Sequence, residues 1–568
     1  MMYIKRALLI FVVASYGLVS VAQNKLGYTI QKKTTCHNGA VVSAHPLASK
    51  VGRDILKKGG NAVDAAIATQ LALAVVYPGA GNIGGGGFMV AVLQNGKTVA
   101  LDYREKAPAA AGRDMYLDAN GNPQLQLSQD GHLAAGVPGT VAGLFASLKY
   151  AKLPFKQLIQ PAIDLAAKGF AITQHEADAL NSERADFIKL NTVRPTAFLK
   201  EGGWQEGDML VQTDLANTLK RIRDKGAKGF YEGETARLIV AEMKRGKGVM
   251  EAADLKNYRA VERTAVQFDY KGHRIVTMPL PSSGGIILQQ MLMMIADKDM
   301  AAKQFQTPES VQLMIEAERR AYADRAYFLG DPDFVKVPVK RMVQPDYIAQ
   351  RMADYVPGKA GNSKATKEGT IAESEETTHL SVVDQYGNAV SVTTTLNGGY
   401  GSRTVVGGAG FLLNNEMDDF SVKPGVPNMY GAVGNEKNAI APGKRMLSSM
   451  TPTIVLKNNK PYIVVGTPGG TTIPTSVYQA LVNILEFGMS ADDAINKPKF
   501  HHQWLPDMVF VEKGFAPATK QALEAMGYQL SERGAIGRTE IIKITYSGKQ
   551  RHIEAVGDNR GDDAAEGY

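Results

Sequence analysis

Glu376-Thr377-Thr378-His379-Leu380-Ser381-Val382-Val383-Asp384 is the stretch from which the rest of the chain can be read. Ahead of it, Val356 to Glu376 is polar, with Pro, Gly and Lys scattered through it and three acids near its end. Behind it the pattern changes. Leu380, Val382 and Val383 suit a strand, Asp384 to Asn388 carry turn chemistry, and Ala389 to Leu396 suit a β-rich return strand. A threonine therefore stands where a linker meets a buried hairpin. If the chain were cut before Thr377, hydroxyl and new α-amine would share one residue. A free α-amine titrates near roughly 8, so it can take the proton of the neighbouring Oγ at neutral pH. Taken alone, the stretch fits a surface loop entering an ordinary strand better than a nucleophile, and the decision rests on the other segments.

The 568 residues are 44% hydrophobic and 21% charged, a globular composition. Length alone suggests roughly three or four domains. The net charge of +8 comes with no basic run and no aromatic-basic interleaving, which speaks against nucleic acid as a partner. Residues 1–22 read as a secretory leader: Lys5-Arg6, an apolar core from Ala7 to Leu18, and small residues at Ser20-Val21-Ala22. That core is short for a membrane span, and no other stretch reaches spanning length. The expected protein is exported, to the periplasm of a Gram-negative cell or the medium. The single Cys36 allows neither an internal disulfide nor a Cys-rich zinc site.

Along the chain, Pro46 to Lys58 has helical spacing and stops at Gly59-Gly60, and Asn61 can cap an all-round apolar helix from Ala62 to Val76. The run Gly84-Gly85-Gly86-Gly87 leads from a helix into a strand, the wrong order for a dinucleotide or phosphate cradle. The return strand, Thr98 to Tyr103, ends at Arg104. From Gly139 to about Tyr355 helical periodicity dominates, with strands at Thr264–Tyr270 and His273–Pro279. Thr395 lies two residues before Asn397 on the same strand face. Glu416, Asp418 and Asp419 crowd behind Phe411-Leu412-Leu413. Val422 to Glu436 is a Pro/Gly-rich loop of lid length with Tyr430 near its middle. Ser448-Ser449 precede a hairpin that ends in Gly466-Thr467-Pro468-Gly469-Gly470, before a helix expected from Thr475 to Phe487. Backbone N–H groups there can hold an oxyanion, although a plain tight turn fits equally well. His501-His502 would face opposite ways on a strand and read as structural.

With these segments in place, the chain from about Cys36 to Tyr568 closely resembles the γ-glutamyltransferases, N-terminal nucleophile hydrolases. The resemblance is carried by Gly60-Asn61-Ala62-Val63-Asp64-Ala65-Ala66, the glycine run before Phe88, Asp102-Tyr103-Arg104-Glu105 and Thr377-Thr378-His379. It continues in Leu413-Asn414-Asn415-Glu416-Met417-Asp418-Asp419-Phe420, Arg445-Met446-Leu447-Ser448-Ser449-Met450 and Pro468-Gly469-Gly470. It implies an α+β fold, a four-layer αββα sandwich. It also implies a precursor that cuts itself between Glu376 and Thr377 into a large subunit, 23–376, and a small one, 377–568, which stay associated. Thr377 would attack the γ-carbonyl of glutathione or another γ-glutamyl compound, assisted by Thr395, with Gly469 and Gly470 donating to the oxyanion. The ester would pass to water or to an amino-acid or dipeptide amine. Arg104 would grip the glutamyl α-carboxylate with Ser448 and Ser449, while Glu416, Asp419 and Asn397 would meet the α-ammonium on the opposite side. Tyr430 would sit on a lid. No cofactor or metal is implied. Position 416 is Glu where some bacterial relatives carry Gln. Two other readings remain: an acylase for cephalosporin side chains on the same fold, and a binding protein without turnover. The intact charged set speaks against the first, and the intact Thr377, Thr395 and glycine pair against the second.

Overall fold

The computed structural model describes residues 25–191, 196–366, 377–429, 431 and 434–568. The leader, Glu376 and Tyr430 therefore lie outside the described residues. Two seven-stranded sheets, antiparallel throughout, form the middle of the molecule. The first runs, in spatial order, Ala564–Gly567, Ala40–Ser43, Thr378–Val383, Ala389–Thr395, Gly86–Val92, Thr98–Asp102 and Val261–Arg263. The second runs Lys33–Cys36, Gln550–Val556, Glu540–Ser547, Lys460–Gly466, Thr453–Lys457, His273–Thr277 and Val266–Tyr270.

Strand periodicity assigns each residue to a layer, because alternate side chains leave a strand on opposite faces. In the first sheet Val42, Phe88, Val90, Ala100, Val383 and Ala389 point inward. They meet Val276, Ile454, Val464, Ile542, Ile553 and Ala555 of the second. Their neighbours Val41, Met89, Leu101, Leu380, Val382 and Val390 point outward, onto a helical layer that includes Pro46–Lys57, Ala62–Val76, Phe155–Lys168 and Thr213–Lys225. The outer face of the second sheet, with Ile275, Val455, Ile463 and Ile541, packs on Gly284–Ile295, Pro308–Phe328 and Thr472–Leu485. Helix, sheet, sheet and helix thus stack in four layers. Among the described residues no helix is long and apolar enough to cross a membrane.

The helix Ala62–Val76 is buried at every position, as an apolar surface on all sides requires. Its polar start is satisfied locally by a capping box between Asn61 and Asp64. Elsewhere the expected elements occur with small shifts, and one shift matters. The helix expected from Thr475 begins at Thr472, because Pro474 sits in its first turn, where no intrahelical N–H is needed. Gly469-Gly470 therefore stand directly before the helix start.

Candidate active site

Thr378 pairs with Thr394, and Val383 with Ala389. Extending that register by one residue places Thr377 opposite Thr395, and parity puts both in the inward row with His379, Ser381, Ser391 and Thr393. The two threonine Oγ atoms lie 3.4 Å apart. Thr395 Oγ also accepts from the backbone N–H of Asn397 at 2.7 Å, which holds it beside Thr377. Asn397 adopts φ +76°, a left-handed conformation asparagine tolerates, and its side-chain N–H donates to the Asn415 carbonyl at 3.0 Å.

His379, two residues away, is no general base for this threonine. Its ring is fully buried, and burial pushes its pKa down to about 3. Both nitrogens bond hydroxyls, those of Thr393 at 2.9 Å and Ser381 at 3.1 Å. Gly466 of the facing sheet makes room for it, since a Cβ there would stand 2.3 Å from the ring.

The glycine run is explained by the same hairpin. A Cβ on Gly85 would lie 2.1 Å from the Thr395 carbonyl oxygen, and one on Gly84 2.1 Å from that of Leu412. Here the glycines let backbone press against the strand that carries Thr395. Asn414 locks the arrangement, donating to the Gly84 and Gly136 carbonyls at 2.9 and 2.8 Å and accepting from Glu416 N–H at 3.0 Å.

That lock delivers a short 3-10 turn, Glu416–Asp419, to Arg104. The guanidinium is 1% exposed and binds the carboxylates of both Glu416 and Asp419, with Glu105 3.7 Å away. The sequence reading set these opposite charges on opposite sides of a ligand; in the structure they also pair with one another. A buried guanidinium needs anionic partners to offset its lost hydration, and these carboxylates are the nearest. Burial opposes its charge, but Glu416, Asp419 and Glu105 outweigh that and raise its pKa. Burial raises all three acids in turn, with Arg104 pulling each of them back down. Asp418 faces away: burial lifts it to about 6, and it accepts from Ser128 Oγ and from Met429 N–H at 2.7 Å. It thereby ties down the loop expected to form a lid, while Asn428 of that loop donates to Asp419 at 3.0 Å.

A cavity of about 320 Å³ gathers Arg104, Thr377, Thr395, Asn397, Glu416, Asp419, Ser448, Ser449 and Gly470. Gly469 lines a second cavity of about 710 Å³ on the other side of Thr377. The glycines take φ of +132° and +52°. Of the catalytic, binding and lid residues read from the sequence, Tyr430 alone lies outside the described residues. One member was missed: Arg325, buried in the first cavity wall, donates to Ser449 Oγ at 3.0 Å and Ser283 Oγ at 2.9 Å. Its signal was the helix Pro308–Phe328, where charges fall on every face and are nonetheless buried. His501 and His502 part as expected, toward Thr475 (2.8 Å) and Asp507 (3.4 Å). No group of three or more metal-ligating side chains occurs among the described residues.

Comparison with known proteins bears on the family and the fold. The protein-family model described as Gamma-glutamyltranspeptidase matches residues 48–568. A glutathione hydrolase proenzyme of Escherichia coli (strain K12) is 47% identical over 536 residues, 93% of this chain and 92% of its own. Among solved structures, cephalosporin acylase from Bacillus halodurans superposes with a TM-score of 0.82 at 26% identity, covering 99% of this chain and 100% of its own. Helicobacter pylori gamma-glutamyltranspeptidase superposes at 0.56 and 44% identity, covering 60% of this chain and 96% of its own. The chain belongs to the gamma-glutamyltranspeptidase family, and its four layers are those of the N-terminal nucleophile hydrolases.

Proposed function

We propose that this self-processing γ-glutamyl hydrolase/transferase works through Thr377, freed as an N-terminus by cleavage after Glu376. The observation that carries the reading is the placement of Thr377 Oγ, 3.4 Å from Thr395 Oγ, at one wall of the cavity whose other walls hold Arg104, Glu416, Asp419, Ser448 and Ser449. The α-amine takes the Thr377 hydroxyl proton, Oγ attacks the γ-carbonyl, and Thr395 orients Oγ through its own O–H. Charge on the carbonyl oxygen is met by N–H groups of Gly469-Gly470 at the positive end of the helix Thr472–Leu485. The amine product leaves, and water or another amine then takes the glutamyl group from the ester.

The subunits become 23–376 and 377–568. Their continued association is supported by the first sheet, where Thr378–Val383 and Ala389–Thr395 pair on either side with Ala40–Ser43 and Gly86–Val92. The donor class follows from charge. A glutamyl α-carboxylate finds Arg104 with Ser448 and Ser449, the latter oriented by Arg325. The α-ammonium finds Glu416 and Asp419 with the Asn397 amide oxygen. Glutathione fits as the donor, and the leader implies export to meet it outside the cytoplasm.

The fold shared with a cephalosporin acylase motivates one competing reading, removal of a glutaryl-type group. A glutaryl group lacks the α-ammonium and would give Glu416 and Asp419 no cationic partner beyond Arg104. The test is hydrolysis of a γ-glutamyl anilide against the matching glutaryl anilide. Turnover of the γ-glutamyl compound at least about 100-fold more efficiently supports the proposal, in keeping with one lost charge-assisted contact. Equal or reversed preference contradicts it.

A further inference from the structure

Gly469 and Gly470 stand between the two cavities that meet at Thr377. Gly470 lines the glutamyl one, and Gly469 lines the one of about 710 Å³ on the side of the departing amine. Their φ values of +132° and +52° both lie in the left-handed region that favours glycine. A residue without Cβ rotates freely among backbone conformations, so neither glycine fixes the direction of its own N–H. What holds the pair in one orientation must come from its neighbours.

Those neighbours are two buried threonines, Thr467 and Thr472. The N–H of Gly469 shares a peptide unit with the Pro468 carbonyl, and the N–H of Gly470 shares one with the Gly469 carbonyl. Both units are trans, so N–H and C=O point opposite ways and holding the carbonyl aims the N–H. Thr467 Oγ donates to the Pro468 carbonyl at 2.8 Å, and Thr472 Oγ to that of Gly469 at 2.7 Å. The Gly469 carbonyl also accepts from the Thr472 backbone N–H at 2.8 Å. The backbone leaves room for both hydroxyls: a Cβ on Gly469 would stand 2.3 Å from Thr472 Oγ, and one on Gly537 2.6 Å from Thr467 Oγ.

We propose that Thr467 and Thr472 are positioning residues of the oxyanion site, holding from behind the two peptide units whose N–H groups receive the charge on the substrate carbonyl. The proposal rests on the γ-glutamyl reading above, which gives Gly469 and Gly470 that task. When Thr377 Oγ attacks, the carbonyl π pair moves onto oxygen, and donors already aimed there need no reorganisation. A hydroxyl bonded to the amide carbonyl also polarises the amide and strengthens its N–H as a donor. The threonine hydroxyls touch no reacting atom, so their contribution belongs to the tetrahedral stage and not to ground-state binding. The two are unequal. Thr467 Oγ is the partner of the Pro468 carbonyl, whereas the Gly469 carbonyl keeps the Thr472 backbone N–H when the Thr472 hydroxyl is removed.

The experiment compares the wild type with Thr467→Val, Thr467→Ser, Thr472→Val and Thr472→Ser, each purified as the processed protein. Both kcat and KM are measured with a γ-glutamyl anilide. Inhibition constants are measured with glutamate and with its analogue carrying a boronic acid in place of the γ-carboxyl. Boron accepts the Thr377 Oγ electron pair while the hydroxyl proton passes to the α-amine, and a B–OH group then occupies the oxyanion position. In Thr467→Val kcat should fall about tenfold with KM nearly unchanged, a fraction of the roughly 10²- to 10³-fold cost of losing a whole oxyanion donor. Boronate affinity should fall with kcat, and glutamate affinity should not. Thr472→Val should show the same split at a smaller size, and both serine variants should restore wild-type behaviour. An unchanged kcat in Thr467→Val, or equal weakening of glutamate and boronate, would overturn the proposal. If Thr467→Val yields no processed protein, Thr472→Val decides by the same split. A wild type that does not cleave the anilide would strike the γ-glutamyl reading, and this assignment with it.

Discussion

Thr377 stands between two cavities that are built in different ways. On the glutamyl side the volume is about 320 Å³, and its charges come from three separated parts of the chain: the Glu416–Asp419 turn pairs with Arg104, and Arg325 stands in the same wall bonded to Ser449. On the amine side the volume is about 710 Å³, and its walls hold a tyrosine, a histidine and two arginines. Buried opposite charges are costly to separate and demand one geometry, so the first side can recognise one chemical group closely. The second is roomier and holds no such cluster of paired opposite charges among its described lining residues. On the proposed function, a strict donor preference and a tolerant acceptor preference are the expected outcome of that contrast.

The contrast can be broken hardest at Arg104. Arg104→Ala leaves Glu416 and Asp419 buried without their cation, and we expect kcat/KM for γ-glutamyl substrates to fall on the order of 10³-fold, together with a lower Tm. Arg104→Lys should recover little, because one ammonium cannot satisfy two carboxylates and a planar ligand as the fork does. Steady-state kinetics and thermal unfolding check both, and a near-normal KM in Arg104→Ala would count against the glutamyl assignment. Next is Thr395→Val, which removes the O–H beside Thr377. A loss of about 10- to 100-fold in kcat with little change in KM is expected, and Thr395→Ser should restore most of it. A change in KM alone would give Thr395 a substrate-binding role instead.

The smallest effect lies beside the amine cavity. Glu176 and His45 are buried with 3.4 Å between them; burial pushes the carboxyl up to about 8 and the imidazole down to about 3. At neutral pH this is therefore a contact of two uncharged groups. The native state keeps the Glu176 proton from the ordinary 4.5 up to about 8, while the unfolded chain has released it. Its contribution to stability is full below about 4.5 and is lost as pH rises through about 8. Glu176→Gln should flatten the decline of Tm over that window by about 1–3 °C. An unchanged pH slope would show that this carboxyl ionises normally.

The sequence carried much of this, unevenly. The hairpin that begins after Thr377 and the helix Ala62–Val76 were legible because period and capping are local signals. The pairing of Ala40–Ser43 with Ala564–Gly567 was not, because no local pattern reports a contact across more than 500 residues. At the site, Arg104, Glu416 and Asp419 were identified through family resemblance. Their mutual ion pairing was missed because the reading supplied a ligand between them. Arg325 was hidden in the helical stretch between Gly139 and Tyr355, where no site residue was read. A helix with charge on every face could have revealed it, since such a helix must lie on the surface or pair its charges inside.

The central claim is that Thr377 becomes the N-terminus of a catalytic subunit. Intact-mass analysis of the purified protein beside Thr377→Ala tests it most directly. The account predicts two fragments from the wild type. The smaller, beginning at Thr377, should be about 21 kDa (192 of the 568 residues of a 61.1 kDa chain), and the variant should remain uncut and inactive. A wild-type chain that stays whole yet turns over γ-glutamyl substrate would contradict it.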